Sequence, residues 1–175
     1  MPRRRSATDR SDAIFGAGCS IRPVFQPIID ARRGHVAGFE ALARLVDANG
    51  YGATADFLAS LPDGARLRLF ETMLDRSLAV MTDLCRPDET FYVSVNAERF
   101  LFLDTSFLTI VERALRKHAF PAYRLVLEIL EDGVIDDEAG MIESLVRVRN
   151  LGIRVALDDI GTAQASLINI KTLPV

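Results

Sequence analysis

Apolar positions along the chain follow two rhythms. "VFQPIID" (24–30) and "VAGFEALARLV" (36–46) are short runs rich in β-branched and aromatic residues, parted by "ARRGH" with Gly34, and they predict a hairpin of two strands closed by the loop "DANGYG". "TADFLASL" and "DGARLRLFETMLDRSLAVMTDL" instead repeat apolar residues every three or four positions, which predicts helices with Thr54 and Asp63 in cap positions. From residue 91 the two rhythms alternate: strand "FYVSVNA", helix "DTSFLTIVERALRKH", strand "RLVLEIL", helix "DDEAGMIESLVRVRNLG", strand "RVALDDIG" and helix "ASLINIKTL". Such alternation predicts right-handed parallel βαβ units, and so an α/β sheet or barrel whose short apolar strands are covered on both faces.

Within this pattern "GFEALARLV" carries Glu40 and Arg44 in an otherwise apolar strand. Period-two alternation puts Glu40, Leu42 and Arg44 on one side and Phe39, Ala41 and Ala43 on the other. A carboxylate taken out of water costs several kcal/mol unless a cation or hydrogen-bond donors meet it, so Glu40 requires a partner. The later strands repeat the anomaly at their ends: Asn96 in "VSVNA", Glu128 in "VLEIL", Asp158 and Asp159 in "ALDDIG". Successive members lie about thirty residues apart, the length of one strand-helix unit. Side chains at the C-terminal ends of parallel strands converge on one rim, where (β/α)8 barrels keep their active sites. An amide and several carboxylates gathered there suit a hard cation such as Mg2+ or Mn2+.

A structural reading stands beside this one. Acids that follow strands serve as helix N-caps, a role that fits Asp104, Asp136 and Asp137. Asp159 faces away from Asp158 if the strand continues, so a cap or supporting role suits it equally. Arg44 could pair with a core acid, and Gln26 in "FQPI" is ambiguous by itself.

With 175 residues, 49% of them hydrophobic, and a formal charge of -3, the chain can bury a core, which excludes general disorder. No apolar run approaches the roughly 20 residues that span a bilayer, so membrane insertion is not expected. Residues 1–20 read as a flexible arm; Arg3, Arg4 and Arg5 form a short solvated charge run, too little to predict a nucleic acid polymer as partner. Cys19 and Cys85 have no metal-ligand spacing, and so few cysteines suit a reducing, cytoplasmic setting. His35 in a turn and His118 near a helix end read as surface histidines without zinc partners.

The same residues closely resemble the EAL-domain family of bacterial cyclic di-GMP phosphodiesterases, named for the tripeptide seen here as Glu40, Ala41 and Leu42. The match runs in order through "FQPIID", "GFEALAR", "VSVNAERF", "LVLEILEDGVI" and "VALDDIGT", then "SLINIKTLPV". It implies a TIM-like (β/α)8 barrel of the EAL type with its first strand antiparallel to the rest. It implies two divalent ions, Mg2+ or Mn2+, bound by Glu40, Asn96, Glu128 and Asp158 with Asp159 at the second ion. It further implies contact of Gln26, Leu42 and Arg44 with cyclic di-GMP, Arg44 through a phosphate, and metal-dependent hydrolysis to linear pGpG.

Two departures qualify that expectation. The family's "DDFGTGYSS" loop, which links the metal rim to a homodimer surface, stands here as "DDIGTAQAS", with Ile160 for Phe, Ala163 for Gly, Gln164 for an aromatic residue and Ala165 for Ser, and Leu130 occupies a customary Thr position. A complete barrel of this kind needs roughly 250 residues. Residues 21–175 therefore correspond to the N-terminal two-thirds of the domain, about five strands of an incomplete barrel. The lysine that orients the catalytic water, and a later glutamate, would fall beyond Val175. The expectation is a phosphodiesterase chain weakly active or inactive alone; the alternative is a non-catalytic regulator that binds cyclic di-GMP or a protein. An unrelated enolase-like or aldolase-like enzyme fits the ordered motifs poorly.

Overall fold

The computed structural model describes residues 19–47, 50–51, 60–84, 91–130 and 137–157. Two long strands open it, β1 (Ser20–Asp30) and β2 (His35–Asp47), paired antiparallel through a turn in which Gly34 takes a φ of 67°. The β1 strand begins four residues before the apolar run that predicts it, because Ile21 is fully buried and its carbonyl accepts a hydrogen bond from Arg76. A two-residue strand, β3 (Gly50–Tyr51), folds back on the end of β2. Next come α1 (Asp63–Leu84), β4 (Tyr92–Glu98), a 3-10 turn (Arg99–Leu103) and α2 (Phe107–Lys117). Then follow β5 (Leu125–Leu130), α3 (Glu138–Asn150) and β6 (Arg154–Leu157). The sheet order is β1-β2-β4-β5-β6, antiparallel in the first pair and parallel from β2 onward. This is the α/β arrangement, with its first strand antiparallel to the rest, anticipated above. Thr54, the final predicted helix, and the polar ends of the "RVALDDIG" strand lie outside the described residues.

Burial divides the sheet as period two predicts. One face carries Ile21, Ala41, Val93, Val95, Ala97, Leu125, Leu127 and Ile129, which join apolar residues of the three helices in a single core. The other face carries Glu40, Ser94, Asn96 and Glu128, none of which belongs to that core. Its floor is aromatic: the guanidinium of Arg154 stacks 4.5 Å above the ring of Tyr92, and Gly38 lies beneath. A Cβ at Gly38 would stand 2.7 Å from both the Tyr92 ring and its carbonyl oxygen. Because that carbonyl is held in the sheet, Gly38→Ala is expected to cost about 2 kcal/mol, read as a lowered urea midpoint with unchanged slope.

Two local expectations change. Asp137 does cap α3, its Oδ1 accepting from Gly140 N at 2.9 Å, whereas Asp104 is not the N-cap of α2. The 3-10 turn displaces the helix start to Phe107, and Asp104 Oδ1 instead accepts from the backbone N and Oγ of Ser106. His118 is not a surface residue: its side chain is 13% exposed, and its Nε2 lies 2.8 Å from Asp75 Oδ1 on α1. His35 is exposed as expected, at the first position of β2.

Asp75 also accepts from Lys117 Nζ at 2.6 Å, so it ties α1 to the end of α2. Burial disfavours its charge, but the hydrogen bonds and positive charges of Lys117 and His118 prevail and hold its carboxyl below the usual range. A depressed carboxyl contributes stability above its unfolded value, about 3.9, and loses that contribution as pH falls through the folded value. The carboxyl is a third exposed, which limits the effect. Asp75→Asn is expected to lose up to about 1 kcal/mol at pH 7, and its gap from the parent protein should narrow below about pH 4 in urea titrations.

Candidate functional site

Strand register stacks the non-core face in levels. Glu40 on β2 is level with Ser94 on β4 and Val126 on β5; one step rimward, Asn96 is level with Glu128 on β5 and Ala156 on β6. Gln26 stands directly opposite Glu40 across the hairpin, and Arg22 stands directly opposite Arg44. Opposed residues in an antiparallel pair point to the same face, so Gln26, Glu40, Leu42 and Arg44 share the side that bears Asn96 and Glu128. β1 runs opposite to its neighbours, which brings its N-terminal end, with Arg22, to the rim formed by the C-terminal ends of the parallel strands.

The contacts among these residues are few. Asn96 Nδ2 donates to Glu40 Oε1 at 3.5 Å, a long bond across two levels. The buried Asn96 Oδ1 has no hydrogen-bond partner among the described residues, and the fully buried Ser94 Oγ below it has none either. Arg44 pairs with no core acid among the described residues, and its Nη1 donates to the Ala43 carbonyl at 2.8 Å. Among the described residues Glu40 forms no ion pair. By contrast, Glu98 at the end of β4 is neutralised by Arg66 Nη1 at 2.5 Å, which removes it from the set.

An orphaned amide oxygen costs about 1 to 3 kcal/mol in a buried position, and an unpaired carboxylate beside it adds to the debt. A divalent cation would relieve both, and the donors are all oxygen, the chemistry that magnesium, manganese and calcium prefer. The residues fit such an ion. Among the described residues no three His, Cys, Asp or Glu come together, since Glu40 and Glu128 are the two acids described here and Asp158 and Asp159 lie outside the described residues. Sequence reasoning passed over Ser94 and Arg22. Ser94 was detectable as the residue two before Asn96 on the same face; Arg22 needed the hairpin register.

The sequence profile of the EAL domain matches residues 8–175. The chain belongs to the EAL-domain family. A curated relative, the cyclic di-GMP phosphodiesterase PA2567 of Pseudomonas aeruginosa, is 28% identical over 170 residues, covering 96% of this chain and 29% of its own. Among solved structures, the PaMucR phosphodiesterase in complex with c-di-GMP superposes with a TM-score of 0.76 at 26% identity, covering 89% of this chain and 64% of that one. The YkuI protein of Bacillus subtilis, an EAL-domain protein solved with c-di-GMP and calcium, gives a TM-score of 0.74 at 24% identity, covering 87% of this chain and 39% of that one. This EAL domain spans 18% of the length of one curated relative it matches and 51% of another. None of its described helices is long and apolar enough to cross a membrane.

Proposed function

We propose that this EAL domain binds cyclic di-GMP at a divalent-metal site as part of a cytoplasmic cyclic di-GMP phosphodiesterase. The observation that carries the reading is the buried, unpartnered Asn96 Oδ1 beside Glu40, on the same face as Glu128. Glu40, Asn96 and Glu128, joined by Asp158 and Asp159, would hold Mg2+ or Mn2+, one ion or two. The chemistry such an ion supplies when bound is acidification of water and neutralisation of phosphodiester charge.

The chain's own groups do the rest. Asn96 donates through Nδ2 to Glu40, and its amide oxygen, which has no partner among the described residues, is free to meet a cation. Gln26 and Leu42 flank Glu40 on the same face and would receive the dinucleotide, one by hydrogen bonds and the other by apolar contact. Arg44 stands at the rim, where its planar fork suits a phosphate and stays protonated at any ordinary pH. PaMucR, solved with c-di-GMP, and PA2567, named as a cyclic di-GMP phosphodiesterase, support the substrate class.

The altered loop residues Ile160, Ala163, Gln164 and Ala165 favour a second reading, a regulator that binds the dinucleotide without cleaving it. Calorimetric titration with cyclic di-GMP, with and without Mn2+, combined with chromatography of the nucleotides, tests both. Metal-dependent binding is expected. Formation of linear pGpG would identify the hydrolase, binding without conversion would identify the regulator, and absence of binding would overturn both.

A further inference from the structure

Arg22 has no place in the motifs that define the site, yet the hairpin sets it directly opposite Arg44 at the rim. Like charges opposed across an antiparallel pair destabilise it, since the Cβ atoms stand only about 5 Å apart. Among the described residues neither arginine forms an ion pair, Arg22 is exposed, and the one side-chain hydrogen bond of Arg44 goes to the neighbouring Ala43 carbonyl. Both share a face with Glu40, Asn96 and Glu128, and they stand two residues rimward of the Asn96–Glu128 level, roughly 7 Å up the strands. Acids deep and, at the mouth, two cations with no ion pair among the described residues make a polarised cleft: a cation belongs below, an anion above.

We propose that Arg22 and Arg44 form a two-guanidinium clamp for a phosphate of the bound dinucleotide, with Arg22 a substrate-contacting residue in its own right. Two planar forks converging from opposed strands can each donate a pair of hydrogen bonds to one phosphodiester, and the bound negative charge relieves their mutual repulsion. The inference rests on the reading of the site as a cyclic di-GMP site and adds to it a residue that the ordered motifs do not contain.

Arg22→Gln is expected to weaken metal-dependent cyclic di-GMP binding about tenfold, the worth of a charged hydrogen bond, and to flatten the salt dependence of affinity. The thermal midpoint of the ligand-free variant should equal or exceed that of the parent protein, because a repulsive pair is removed; a merely structural arginine would lower it. Arg22→Lys, which keeps the charge and loses the fork, should restore only part of the affinity. If the parent protein binds cyclic di-GMP and Arg22→Gln binds equally well, the clamp is overturned while the site reading stands. If the parent protein binds no nucleotide, the site reading falls, and titration with inorganic phosphate followed by arginine Nε–Hε NMR decides the clamp: joint shifts of Arg22 and Arg44 sustain it, and an unmoved Arg22 signal overturns it.

Discussion

Glu40→Gln is expected to abolish metal-dependent cyclic di-GMP binding, lowering affinity by about a hundredfold or more, while leaving the fold intact. The substitution preserves shape and an oxygen that can still accept from Asn96 Nδ2, so the contact between β2 and β4 survives. What disappears is one negative charge. A neutral amide is a far poorer ligand for a hard cation than a carboxylate, and even partners that merely orient such ligands are worth ten- to a hundredfold in affinity. Stability should hold or rise in the metal-free protein, because a half-buried carboxylate with no ion pair among the described residues carries a desolvation cost that the amide escapes. Titration calorimetry with Mn2+ and cyclic di-GMP, set beside thermal melts of both proteins, reads the two effects separately. Unchanged nucleotide affinity in a folded Glu40→Gln protein would remove the metal site from the proposal.

Phe107→Ala is expected to destabilise the chain by about 3 to 5 kcal/mol, a large share of what holds a domain of this size together. Phe107 is 0% exposed at the first position of α2. Its ring lies 5.1 Å from that of Phe70 on α1 and 4.7 Å from that of Phe102 in the 3-10 turn, so it joins three elements at once. Alanine would leave a cavity between rigid helices that cannot close over it, and the aromatic pairs would be lost with the buried area. The 3-10 turn follows β4 immediately, so the damage reaches the strand that carries Asn96. A urea midpoint lowered by more than half, with loss of near-ultraviolet dichroism, would record it; Phe107→Leu should cost far less because most of the volume remains. A midpoint unaffected by Phe107→Ala would mean that this cluster does not anchor the helices to the sheet.

Much of the fold can be read from residue order because its causes are local. The switch from period two to a three- and four-residue spacing marks α1, α2 and α3, and the alternation after residue 91 yields parallel β4, β5 and β6. Misreadings occur where a distant contact overrules the local pattern. His118 looks like a polar residue at a helix end, yet Asp75, more than forty positions earlier on a neighbouring helix, draws it in. Asp104 has the chemistry of a cap, but the 3-10 turn after β4 moves the helix start past it.

For the site the division is similar. Sequence alone determined that Glu40, Asn96 and Glu128 are polar groups at strand positions where apolar ones would pack better, and that Glu40 and Arg44 lie on one side of β2, because side-chain alternation along a strand depends on the backbone of that strand only. Tertiary structure decided which of them meet. The register of β1 on β2 sets Gln26 against Glu40 and Arg22 against Arg44, and the parallel register of β4 on β5 levels Asn96 with Glu128. Register is a property of two strands and their packing against helices, and sliding one strand by a single residue would turn every one of these side chains to the opposite face.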